Sequence, residues 1–290
     1  MKDRFQTFLQ ILLHNNLILS LAAASLCLVT QVQTGMNPRF HVFHLLIFSA
    51  TMCEYNLHRF LKFYGLPKPD KLKKYKWLSA NLMLVWGITI TAVLILAVSF
   101  FFMSPGTKLV LIASFLLTML YSFPLKGQVG KLSLRRVPYL KTFVVAIVWT
   151  TITVLIPAME LSGKLTFDAF SWIFAGRFLL IFALALLFDI RDIESDTGSG
   201  LMTIPVALGQ KRTQHLVTGL LILVVMIALG LAVEYGNYYN LFASLLISVI
   251  LIFFVYCRQC KASPYYYTIF LDGSMVLYSI LVLLGWFINS

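Results

Sequence analysis

The sequence predicts an all-α membrane protein, nine transmembrane helices bundled around a central cavity with the N-terminus in the cytoplasm, and three observations carry that expectation. The 290 residues are 60% hydrophobic and 12% charged, with a mean hydropathy of +0.87, which excludes an ordinary soluble domain. Apolar runs of about 20 residues, the length that spans a bilayer core, fall at 15–34, 40–60, 77–103, 107–124, 138–158, 168–188, 213–234, 239–257 and 266–288. Basic residues alternate from loop to loop between those runs, the pattern that fixes orientation.

Lys2 and Arg4 precede the first run, which is followed by Gln31, Gln33 and Thr34 rather than by small residues. It therefore reads as a span and not as a cleavable signal peptide. Arg59, Lys62, Lys68, Lys71, Lys73, Lys74 and Lys76 follow the second run, and Lys126, Lys131, Arg135 and Arg136 follow the fourth. Arg191, Lys211 and Arg212 follow the sixth, and Arg258 and Lys261 the eighth, while other connections carry only Arg39, Lys108 or Lys164. Helices are required because backbone polar groups in hydrocarbon must be paired within their own segment. The chain reads as one domain over 1–290, without a solenoid repeat. Its net charge of +12 speaks for orientation and anionic lipid, not for nucleic acid. Four cysteines make no disulfide framework, and Cys257 and Cys260, placed in a cytoplasmic loop with no second pair, predict neither redox structure nor zinc. Tyr265 to Tyr267 read as an interfacial anchor for the ninth run.

Chemistry concentrates after the sixth run. Asp189, Asp192 and Asp196 are spaced i, i+3, i+7 and share a helix face within an arc of about 60°. Three carboxylates near a helix C-terminus, where the dipole is already negative, repel one another and the dipole. A solvated helix end is one reading. The other is a bound cation, for which Mg²⁺ is suited because it takes one or two carboxylates together with phosphate oxygens, and a diphosphate would then bridge metal to nearby Lys and Arg. Thr197, Gly198, Ser199 and Gly200 end the helix, and Thr203, Ile204 and Pro205 begin an extended or turn segment before Gly209, Lys211 and Arg212.

D-I-R-D-I-E-S-D followed by T-G-S-G-L-M-T-I-P-V-A-L-G-Q-K-R resembles the second aspartate-rich motif of the UbiA superfamily of intramembrane prenyltransferases. Y-S-F-P-L-K at 121–126 and the stretch from Pro138 to Lys141 resemble further segments of that family. The resemblance implies Mg²⁺-dependent transfer of an isoprenoid chain from a prenyl diphosphate to an aromatic or other lipophilic acceptor, at a cytoplasmic mouth. It implies Asp189, Asp192 and Asp196 as metal-holding catalytic residues, Lys141 as a further catalytic group, and Tyr121 and Lys126 as diphosphate contacts, whereas the bland readings are positive-inside charge for Lys141 and Lys126 and an interfacial aromatic belt for Tyr121.

The family's first motif, approximately N-x-x-x-D-x-x-x-D, is changed. The corresponding positions are Glu54, His58 and Lys62, one carboxylate, one imidazole and one ammonium on one helix face. The alternative register, Asn56, Phe60 and Tyr64, fits worse. Glu54 is then left to share the metal while His58, Arg59 and Lys62 contact phosphate, a metal-bearing wall facing a cationic wall. A bland reading of His58 is an interfacial contact with Glu54 one turn earlier. Two functions stay open, transfer and the binding or transport of an isoprenoid phosphate without turnover.

H-N-N at 14–16 stands in place of the Arg-Pro pair the family often shows near the entry of its first span; Asn15 and Asn16 either hydrogen-bond an acceptor or, the simpler reading, cap the helix. Arg177 and Asp272 lie inside the sixth and ninth runs, where charge is expensive. A structural ion pair between them is the leading expectation, with acceptor binding, snorkelling, Glu54 or backbone carbonyls as alternatives.

Overall fold

The computed structural model describes residues 15–65, 75–122, 137–161, 166–257 and 266–289. Every described regular element is helical. In chain order these are α1 (Leu17–Gln33), α2 (Val42–Tyr64), the short α3 (Lys76–Ala80), α4 (Leu82–Phe101), α5 (Pro105–Ser122) and α6 (Leu140–Thr150). A π turn over Thr151–Leu155 joins α6 to α7 (Ile156–Glu160). Then come α8 (Phe167–Arg191), the short α9 (Ile193–Gly198), α10 (Ile204–Tyr235), α11 (Tyr238–Tyr256), a π segment (Tyr266–Asp272) and α12 (Gly273–Asn289). A helix overlaps each of the expected apolar runs. Six segments are long and apolar enough to cross a membrane: α4, the α6–α7 unit, α8, α10, α11 and the π segment with α12, whereas α1 and most of α5 form shorter apolar helices.

Local chemistry explains several boundaries. The Thr166 hydroxyl accepts a hydrogen bond from the Ala169 amide (3.2 Å) and starts α8, and Gly236 ends α10 at φ 71°. Pro157 has no N–H to return to the Thr153 carbonyl four residues back. That carbonyl instead accepts from the Thr30 hydroxyl of α1 at 2.7 Å, so the irregular turn is held across the bundle. Of the extended or turn segment expected from Thr203, only Thr203 itself is extended (φ -92°, ψ 164°): α10 begins at Ile204 with Pro205 in its first turn, where a proline costs no hydrogen bond. Gly209 (φ 76°, ψ 162°) then divides α10 into two helical stretches.

The helices pack in a ring. α1 lies against α2 and α12, α2 against α4, α5 against α6, α6 against α8, α8 against α10, α10 against α11 and α11 against α12. The largest buried cluster joins α1, α2, α6, α8, α10, α11 and α12, with Leu26, Ile47, Leu186, Leu221, Leu251 and Val282 fully buried. Met83, Ile90, Leu94, Val98 and Phe101 of α4 are exposed, an apolar outer face suited to lipid. Polar ties cross the seams. Asn16 donates to Asn56 (2.9 Å), and Asn56 donates to Thr89 (3.0 Å), linking α1, α2 and α4. Asn16 is therefore not a side-chain cap: it stands before α1 at φ 56° with its amide spent on α2.

Two further expectations are corrected. Arg177 does not meet Asp272. Its guanidinium donates to the Leu26 carbonyl (3.1 Å) and to Gln33 Oε1 (3.3 Å) of α1, while Asp272 lies within electrostatic reach of Arg191. Lying inside the same bundle does not pair two charges, because each side chain faces a different neighbour. Cys257, expected to take no part in redox structure, is disulfide-bonded, while Cys27 and Cys53 are free.

Candidate active site

The charged residues gather where the start of α6 meets the end of α8. Tyr139, just before α6, takes φ 66° and donates its backbone N–H to the Met202 carbonyl (2.8 Å). The Leu201 amide donates to the Asp196 carbonyl (2.9 Å). The loop following the aspartates is thereby fastened to the start of α6, and Lys141 and Thr142 are delivered to the carboxylates.

Lys141 sits in the middle of them. Its Nζ lies 2.8 Å from Asp189 Oδ1, 3.0 Å from Asp196 Oδ2 and 3.8 Å from Asp192 Oδ2. Asp189 and Asp196 are only 3% and 6% exposed, so an uncompensated charge on either would be strongly destabilising. The Thr142 hydroxyl donates to the other oxygen of Asp189 at 2.7 Å. The helix does not run straight through: α8 stops at Arg191, Asp192 is the joint and α9 begins at Ile193. The i, i+3, i+7 face nonetheless survives the joint, because all three carboxylates still turn toward one ammonium.

Asp192 is also gripped by Arg191, with Nε 2.8 Å from Oδ1 and Nη2 3.2 Å from Oδ2. The Arg191 guanidinium stacks near the rings of Phe188 (5.2 Å) and Tyr267 (4.6 Å). Burial opposes ionisation of Asp192, but the bond to Arg191 and the charges of Arg191, Lys141 and Lys62 outweigh it and hold its carboxyl below the ordinary value.

That influence of Lys62 brings α2 to the site. Glu54 and His58, half-buried on the same helix, approach to 3.7 Å (Oε1 to Nε2), a distance for charge attraction rather than a hydrogen bond. Lys62 is exposed beyond them. Arg59 is turned elsewhere: its guanidinium lies 6.0 Å from the ring centre of Trp77 and interacts with Tyr75. Asn56 and Phe60, the alternative register, are buried in helix packing, Asn56 in the polar tie to α1 and α4 and Phe60 against Trp86 (4.3 Å). Tyr121 is half-buried near the end of α5, and Lys126 lies outside the described residues.

Residues 76–265 match the sequence signature of the UbiA prenyltransferase family. The chain belongs to that family. The matched stretch contains Lys141 and all three aspartates and begins after α2, so it leaves out the altered Glu54, His58 and Lys62. No curated protein sequence matches the chain. Among solved structures it is similar to the apo structure of a UbiA homologue from Aeropyrum pernix K1, at 14% identity and a TM-score of 0.65, over 93% of this chain and 97% of that one. It is also similar to a structure described as digeranylgeranylglyceryl phosphate synthase in membranes, at 14% identity and a TM-score of 0.52, over 99% and 98% of the two chains. The fold is UbiA-like, and the protein is a multi-pass integral membrane protein.

UbiA prenyltransferases generally use Mg²⁺ held by aspartate-rich motifs. Among the described residues no group of three or more His, Cys, Asp or Glu side chains is arranged to hold a metal by itself. The donor set still fits a cation, because one is already there: the Lys141 ammonium occupies the space between the carboxylates as a stand-in ion. The structure brings together Lys141 and the three aspartates that the sequence singled out, and adds Thr142 and Arg191, which it did not. In the sequence Arg191 counts only among the loop cations, although its position directly before Asp192 is an available signal; for Thr142 only its place beside Lys141 points there.

Proposed function

We propose that this chain is a Mg²⁺-dependent membrane prenyltransferase that moves an isoprenoid chain from a prenyl diphosphate to an aromatic or other lipophilic acceptor. The observation that carries this reading is the convergence of Asp189, Asp192 and Asp196 on Lys141 of a neighbouring helix, with Lys62 of α2 in electrostatic reach. In this reading nine helical segments cross the bilayer with the N-terminus cytoplasmic, and the site opens on the cytoplasmic face.

Asp189, Asp192 and Asp196 would hold the metal, with Glu54 offering a carboxylate from the facing helix. Bound Mg²⁺ supplies Lewis-acid neutralisation of the charge that develops on a departing diphosphate. Thr142 fixes one oxygen of Asp189 and Arg191 fixes both oxygens of Asp192, so these carboxylates are oriented before any ligand arrives. Lys141 has two tasks. In the resting protein it neutralises the carboxylates; with diphosphate bound, its ammonium would instead contact phosphate oxygens, as would His58, Lys62, Tyr121 and Lys126. Apolar side chains lining the ring of helices accommodate the isoprenoid and keep water from the electrophilic carbon.

The test is pyrophosphate release from a prenyl diphosphate in the presence of candidate acceptors, with and without Mg²⁺, after mass spectrometry of co-purified lipid has narrowed the donor. Release that needs Mg²⁺ and disappears in Asp189→Asn and Asp192→Asn supports transfer. A second reading, binding or transport of an isoprenoid phosphate without turnover, is favoured by the Glu54, His58 and Lys62 substitutions in the first motif. It predicts lipid-phosphate affinity with no release under any condition.

A further inference from the structure

A second charged centre lies far from the aspartates. Arg177 precedes Asp189 by twelve residues, about 18 Å along α8, and is 3% exposed. Among the described residues no carboxylate pairs with it. A cation in the interior of a membrane bundle is costly unless compensated, and hydrogen bonds to neutral groups leave its charge in place.

The surrounding bonds show what is left over. A guanidinium has five N–H groups; those of Arg177 reach the Leu26 carbonyl (3.1 Å), Gln33 Oε1 (3.3 Å) and, weakly, the Thr30 hydroxyl (3.5 Å). Gln33 Nε2 donates to Asn240 Oδ1 (2.9 Å) and to the Tyr278 oxygen (3.3 Å), and the Tyr278 hydroxyl donates to Asn240 Oδ1 (2.8 Å). Gln33 Oε1 and Asn240 Oδ1 are thus used within the protein. The Asn240 amide N–H groups, and the remaining N–H groups of Arg177, have no partner among the described residues. Arg177, Asn240, Gln33, Ser244, Tyr278 and Trp172 border a cavity of about 20 Å³, room for one water-sized particle. Its unspent polar groups are mainly donors beside a fixed positive charge, the chemistry of an anion site.

We propose that this cavity binds one monovalent anion of halide size, held by Arg177 and the Asn240 amide, as a structural ion joining α1, α8, α11 and α12. Trp172 also borders an outer recess carrying Asp168 and Glu234. Those carboxylates repel polyvalent anions more than a singly charged one, so sulfate does not substitute.

The test is thermal unfolding of the purified full chain in potassium bromide against potassium gluconate at equal ionic strength. The expected result is a midpoint that rises by about 3 °C for each tenfold increase in bromide above its dissociation constant, with no such rise in sulfate. Asn240→Asp places a carboxylate beside Arg177 while keeping the oxygen that Gln33 and Tyr278 use; it becomes insensitive to bromide and at least as stable in gluconate as the wild type in bromide. In bromide-soaked crystals an anomalous peak lies within reach of Arg177 and Asn240. Equal midpoints in bromide and gluconate, a cavity holding only water, or an Asn240→Asp variant that keeps the bromide response would each overturn the proposal.

Discussion

At the scale of single residues, Lys141 decides how the aspartates tolerate one another. Replacing it by methionine leaves buried carboxylates without their counter-charge, so the metal-free protein loses about 3 kcal/mol. Added Mg²⁺ then raises the unfolding temperature of Lys141→Met more than that of the wild type, because ion and ammonium no longer compete for the same oxygens; an equal rise in both proteins rules out that competition. Pyrophosphate affinity falls in the same variant, since the ammonium is absent from the phosphate as well. Thr142→Val removes a hydroxyl bonded to a carboxylate, an interaction worth about 1.5–3 kcal/mol. Metal affinity, measured by calorimetry, is expected to drop about 10-fold while the fold persists. Asp192 gives a pH dependence of known sign. Its carboxyl is held below the ordinary value, so the stability gained from Arg191 is complete above that ordinary value and is lost as the pH falls through the depressed one. Unfolding midpoints followed downward from pH 6 should therefore fall more steeply in the wild type than in Asp192→Asn.

At the scale of elements, two glycines set how helices bend and meet. Gly209 takes φ 76° and ψ 162°, a conformation closed to side-chain-bearing residues, and nothing lies within 4 Å of an added Cβ. Gly209→Ala therefore costs about 1–3 kcal/mol through backbone strain alone, read as a lower unfolding temperature with helix content retained. Gly285 of α12 is different. A Cβ there would stand 2.6 Å from Tyr239 Cβ of α11, so Gly285→Ala must push the two helices apart at a cost of about 1–3 kcal/mol. The Gly209 bend was legible only as a breaker in the sequence; that helix would resume on both sides of it was not, because Pro205 signals a turn and a first helical turn equally well.

At the scale of the whole molecule, charge asymmetry and the ring of helices make one prediction. Single cysteines placed in the 189–203 segment of a background lacking the native four should react with a membrane-impermeant maleimide only after cells are opened, whereas one at Gly236 should react on intact cells; the reverse pattern would invert the proposed orientation. The Arg177 centre lies about 18 Å along α8 from Asp189. The two sites can accordingly be altered one at a time.

The sequence by itself determined the helical segments, their alternating charge and the shared face of Asp189, Asp192 and Asp196, because these follow from hydrophobic length and from the 3.6-residue period, which are local. It showed equally that Glu54, His58 and Lys62 stand where the family's motif has an asparagine and two aspartates. Only the tertiary structure decided which partner each charge finds. Lys141 lies 48 positions before Asp189 yet touches it, Arg177 turns to α1 rather than to Asp272, and Arg191 closes on Asp192. A side chain's partner depends on how helices rotate and approach in the ring, and that packing is set by contacts between segments distant in the chain.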